Sequence, residues 1–330
     1  MVFKRLLGSL GVGGPTVDTV LDPGPALPGG TLSGEVRLKG GDADFGIEHI
    51  TLELVAGVEA EHAEGESEGA VVFERFTVGG GFRLGGGEER TVPFEVALPW
   101  ETPVTELYGQ DLGIVLGLRT ELSVAGARDK GDLDRLRVAP RPVQEAVLEA
   151  FGQLGFGFRS ADLEYGRIGG TGQQLPFYQE LELTPSPAYA HAVDEIELTF
   201  LAAPAAVEVV LEADKRGTPF PSGEAGSSGS PGDALARFTV PHEGAAHQDW
   251  NTVVDGWVRQ LVEHRESYGP DAAYGHDRPA PGIGPSVAVG TAGLAVGVAG
   301  GLVAAEIVDE VGDFFEDEGE GEGEGEDEEV

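Results

Sequence analysis

Hydrophobic and polar residues alternate with a period of two along most of the chain. Val92, Phe94, Val96 and Leu98 share one side of an extended segment, with polar or small residues between them. Pro99 and Pro103 then end the ladder and impose a loop. The alternation resumes at Ile114 and continues through Leu116, Leu118, Thr120, Leu122 and Val124. Arg128 to Asp134 reads as a charged loop, after which Leu136 and Val138 form a short strand running into Pro140. Upstream, three further patterns predict short strands: Leu32, Val36 and Leu38; Ile50, Leu52 and Leu54; and Val71 to Val78 with Phe82 to Leu84. Glu61, Glu64, Glu66 and Glu68 mark an acidic loop, and Leu21 to Gly30 a Pro/Gly turn cluster. Strands at this spacing predict a β-sandwich. Residues 1–20 begin with Val2, Phe3, Leu6, Leu7 and Leu10, which fit an edge strand or short helix docked on that sandwich, or an amphipathic segment touching a membrane.

The period changes after Pro140. Val143, Ala146, Val147, Ala150, Phe151 and Leu154 recur at three and four residues behind Pro142, the pattern of an amphipathic helix with proline in its first turn. Strands return at Phe156 to Arg159, Phe177 to Leu183, Ile196 to Leu201, Val207 to Ala213 and Ala234 to Val240. Ser222 to Gly232 is a Gly/Ser-rich loop. Trp250, Val253, Val254, Trp257, Val258, Leu261 and Val262 form one stripe of a second helix, with Asp249 as its cap. That stripe either docks on the chain's own second half or receives a partner, so Trp250 and Trp257 are candidate interaction residues. The organisation is therefore a sandwich over 1–139, a second with a leading helix over 140–246, an amphipathic helix over 247–268, and a linker and tail over 269–330. The fold class is mainly β.

Composition narrows the chemistry. The 330 residues suffice for two ordinary domains, and the absence of cysteine removes disulfides and thiolate metal sites. The formal charge of -37 argues against nucleic acid, which needs a clustered cationic surface, and against adsorption to anionic lipid. No hydrophobic core of a signal peptide precedes Asp18. Gly8, Gly11, Gly13 and Gly14 lack the ending of a phosphate loop, and Asp42 to Gly46 has its glycine one place early for a calcium loop. His242, His247 and Asp249 straddle a turn before a helix and read as solvated side chains. No nucleophile elbow, His-Glu-x-x-His or Walker motif occurs, so neither an enzyme nor a cofactor or metal is expected.

The opening, MVFKRLLGSLGVGGPTVDTVLDPGPALPGGTLSGEVRLKGG, resembles the bacterial sporulation-control proteins, an arrestin-like family. LDPGPALPGGTLSGEVRL, LPFYQELEL and VVLEADKRG carry the likeness, which extends from Met1 to about Trp257. The segment from Arg90 to Pro142 likewise looks like the passage between two arrestin-like sandwiches. The resemblance implies a non-enzymatic, cytoplasmic scaffold or regulator of sporulation or cell development, acting through protein contacts with cytoskeletal or developmental partners. It also draws attention to Asp214, Lys215 and Arg216, which are either a turn ion pair or a polar binding edge.

The remaining segment lies outside that likeness. Residues 279–305 carry no charge, and their length matches the roughly 20 residues of a bilayer span, although Gly, Ala and Val dominate. Gly293, Gly297 and Gly301 stand four apart, a spacing that lets two helices approach closely. Self-association or membrane contact through this segment is the alternative function, that of a membrane-associated assembly protein. The acidic repeat EGEGEGEDEE beyond it repels itself and reads as a disordered tail.

Overall fold

The computed structural model describes residues 13–62, 65–126, 130–213 and 234–267. Its first half contributes β1 (Thr16–Leu21), β2 (Thr31–Lys39), β3 (Phe45–His62), β4 (Gly65–Leu84) and β5 (Glu89–Ala97). A ribbon of β6 (Glu106–Leu107) and β7 (Gln110–Asp111) precedes β8 (Leu116–Val124) and β9 (Lys130–Arg135). The second half comprises α1 (Pro142–Gln153), β10 (Gly157–Tyr165), β11 (Phe177–Thr184), β12 (Ile196–Ala202), β13 (Ala206–Ala213), β14 (Ala234–Pro241) and α2 (Trp250–Ser267).

Alternation builds the first half as two facing sheets. β1, β2 and β5 form an antiparallel sheet in that order. Their Leu32, Val36, Leu38, Phe94 and Val96 meet Ile50, Leu52 and Leu54 of β3 and Leu116, Leu118 and Leu122 of β8 in one core. Each such side chain contributes about 1.5–3 kcal/mol on leaving water, which fixes the register of both sheets.

Two polar stretches fold differently from expectation. The acidic stretch around Glu61 to Glu68 is the turn end of a long β3–β4 hairpin, with Glu59 opposite Glu68 and Glu61 opposite Glu66. Backbone pairing carried up from the apolar base overrides the charge pattern there. The stretch expected as a charged loop contains β9, paired antiparallel with β8. Its strand character was hidden because Asp132 and Asp134 occupy the inward positions and Leu133 the outward one.

The second half is an antiparallel meander, β10 to β14. Among the described residues its strands form one sheet, and α1 and α2 pack against it. The stripe of α1 buries Val143, Gln144, Val147, Ala150 and Phe151. Gly155, at φ +89°, closes this helix: Gly155 N–H reaches Gly152 O and Phe156 N–H reaches Phe151 O, both at 3.0 Å. The rings of Phe151 and Phe156 then meet edge to face at 5.2 Å. The mainly β architecture, the helix at the junction and the helix after the last strand all follow the sequence pattern. A parallel bridge between Glu59 of β3 and Glu164 of β10 merges both halves into one large sheet. No helix among the described residues is long and apolar enough to cross a membrane.

Candidate functional site

The loop forced by Pro99 and Pro103 forms the joint between the halves. Glu101 accepts backbone N–H groups of Gln174 and Leu175, both at 2.8 Å. Val104 exchanges two hydrogen bonds with the Gln179 amide, N–H to Oε1 at 2.9 Å and Nε2 to carbonyl at 2.8 Å. The Trp100 ring lies against Gly29, which at φ +66° leaves no room for a Cβ. Arg141 stacks over that ring at 4.6 Å while donating Nη1 to Pro28 O at 2.7 Å. His242, from the end of the second sheet, brings its ring to 5.5 Å from Trp100, and its Nε2 bonds Ala203 O at 2.7 Å. Phe73 and Phe177 add an edge-to-face contact at 5.4 Å where the β3–β4 hairpin crosses the joint. Backbone bonds, an aromatic stack and apolar packing thus hold one fixed relation between the halves.

The second sheet presents an acidic outer face. Asp162 on β10 lies directly opposite Glu180 on β11, and Glu164 follows on the same side. Ligand-capable oxygens of these three residues lie within 4.8 Å of one another. Burial, then the charges of Glu197, Asp162, Glu164 and Glu212, raise the Glu180 carboxyl to about 9, so it is neutral at pH 7. The face can therefore meet a cationic side chain or ion, at the cost of releasing the Glu180 proton. Sequence reasoning missed this cluster because its members stand on neighbouring strands and each reads singly as part of a wet face.

The second helix docks in cis. Asp249 caps it, accepting Thr252 N–H at 3.3 Å and the Thr252 hydroxyl at 2.7 Å, and these bonds hold its carboxyl below the ordinary value. Trp257 stacks on Phe238 of β14 at 4.8 Å, and Trp250 meets it edge to face. The Trp250 Nε1–H donates to Ala245 O at 2.7 Å. Both indoles are half-buried. His247 and Asp249 do not join His242 in a cluster. Asp214, Lys215, Arg216, Gly293, Gly297 and Gly301 lie outside the described residues, as do the N-terminal apolar patch, the loop at 222–232, the uncharged segment at 279–305 and the acidic repeat.

Together these features define a class: a two-part β protein with helices on its second half and a loop-to-strand joint that fixes the parts. The chain matches the SpoOM protein family over residues 3–217 and belongs to it. It is 35% identical over 215 residues to the sporulation-control protein spo0M of Bacillus subtilis (strain 168), covering 65% of this chain and 81% of that protein. The crystal structure of Spo0M, sporulation control protein, from Bacillus subtilis, superposes with a TM-score of 0.66 at 29% identity, covering 77% of this chain and 100% of that one.

Proposed function

We propose that this protein is a non-enzymatic cytoplasmic regulator that takes part in the control of sporulation or cell development by holding protein partners on a rigid two-part platform. The observation that carries this reading is the joint. Glu101, Val104 and Gln179 exchange hydrogen bonds across the halves, so the surfaces of both parts keep one mutual orientation. Such preorganisation lowers the entropic cost of engaging a partner that touches both parts at once. The family relation supplies the biological setting, and the acidic sheet face favours partners with basic patches.

The test compares affinity capture by the full chain, by a chain ending at Tyr268, and by a Glu101→Ala/Gln179→Ala variant. Partners retained by the truncated chain and lost by the joint variant support the platform. Partners lost on truncation, together with flotation of the full chain alone on liposomes, would transfer the function to the 279–305 segment.

A further inference from the structure

The platform assigns no role to the seam where β1, the edge of the small sheet, meets β9, the edge of the large one. Asp132 and Asp134 of β9 point to the same side as Thr120 and Leu118, their partners on β8, both fully buried. Asp132 Oδ2 accepts Thr19 N–H at 2.7 Å across the two sheets, and the hydroxyls of Thr19 and Thr120 lie 2.6 Å apart beside it. Asp134 follows two positions along β9 on the same side as Asp132, and its Oδ2 is buried with no hydrogen-bond partner among the described residues.

The charges around this pair are lopsided. Asp18 of β1, with an exposed side chain, adds negative charge from the solvent side, and β8 places Thr120 and Leu118 opposite the pair. Arg37, opposite Asp18 on β2, is engaged by Glu35, while Lys130 sits further along β9, opposite Leu122. Beyond β9 the seam is stitched by backbone instead, with Ala26 N–H to Arg137 O at 2.8 Å and Ala139 N–H to Ala26 O at 2.9 Å. The β1 end of the seam therefore depends on side chains. Two adjacent carboxyl groups in a desolvated edge hold one proton between them, because both cannot ionise cheaply.

The geometry points to a proton-operated latch: while Asp132 and Asp134 share a proton, β1 is clamped to β9 through Thr19, and loss of that proton sets their two carboxylates against each other and frees the edge strand. Burial, then the Asp132 charge, raises the Asp134 carboxyl to about 7 in the closed seam. Once open, that group returns toward the ordinary value near 4. Protonation thus favours the closed form, opening becomes easier as pH rises between about 4 and 7, and the effect levels above 7.

Hydrogen exchange at the Thr19 amide of the full chain, followed by NMR from pH 5 to 8.5 and corrected for intrinsic base catalysis, tests this. Protection should fall by up to about tenfold per pH unit until about pH 7 and then level. Amides of the β13–β14 ladder serve as the internal reference and should not follow that profile. Asp134→Asn, which mimics the protonated group, should give a flat profile for Thr19. A carboxyl carbon titration of the unaltered protein needs no variant: an Asp134 midpoint near 7 supports the latch, and one near 4 overturns it. Thr19 protection independent of pH overturns it equally.

Discussion

Glu53 lies in the middle of β3 with no exposed surface, yet it points to the outer side of the sheet. The explanation is lateral: Arg75 on β4 and Arg119 on β8 both stand opposite it and close over it, their Nε atoms at 2.5 and 2.7 Å from its two oxygens. Removing one partner from such an arrangement strands the others, so Glu53→Ala should cost roughly 2–4 kcal/mol in urea unfolding. The lower part of that range reflects Arg75, which is 62% exposed and can turn to water. Glu180 gives the opposite case, a carboxyl kept neutral by burial and like charges. Its raised value means that stability present in acid is lost as pH climbs from about 4.5 to about 9. Urea midpoints recorded over that range should decline, and Glu180→Gln should flatten the decline. Neither behaviour is legible along the chain. Glu35 and Arg37 occupy the same kind of alternating position and are wet, because what separates them from Glu53 sits on adjacent strands.

At the scale of elements, periodicity was a good guide wherever an apolar stripe does the packing. Both helices fall where the three-and-four spacing placed them, and Pro142, Asp249 and Gly155 mark ends by mechanisms that residue type alone determines. Phe151 is 1% exposed beneath α1, so Phe151→Asp should destabilise the protein by about 4 kcal/mol or more, measured as a lowered melting temperature. Trp257 is only half-buried, and its loss should cost less, roughly 2 kcal/mol for Trp257→Ala. Acrylamide should reach both helix tryptophans to an intermediate degree in the unaltered protein. Quenching as efficient as for free indole would mean that α2 is not docked. Strands were missed where polar residues fill the pattern. β9 turns aspartates inward, and the far end of the β3–β4 hairpin pairs glutamates, so an apolar alternation had nothing to report in either place.

For the whole molecule, the order of elements was readable, while the manner of joining was not. The joint pairs Glu101 with Gln174 and Leu175 and Val104 with Gln179, partners 73 to 75 positions apart whose association only the fold creates. Glu101→Ala/Gln179→Ala should leave each part folded while loosening their coupling. Calorimetry should then show the single unfolding transition of the unaltered protein broadening or dividing in two. A transition that merely shifts and stays sharp would place the coupling elsewhere, in the merged sheet.

That merged sheet has a consequence for inheritance. β3 and β4 run for 18 and 20 residues, long enough to build the first half's core at one end and meet β10 and Phe177 at the other. A gene split at the Pro140 boundary would send the hairpin away with the first fragment, leaving the second with a bare strand edge and an uncovered aromatic ring. The fragments are therefore poor candidates for shuffling into other proteins, and lineages that keep one should keep both, in this order and on one chain.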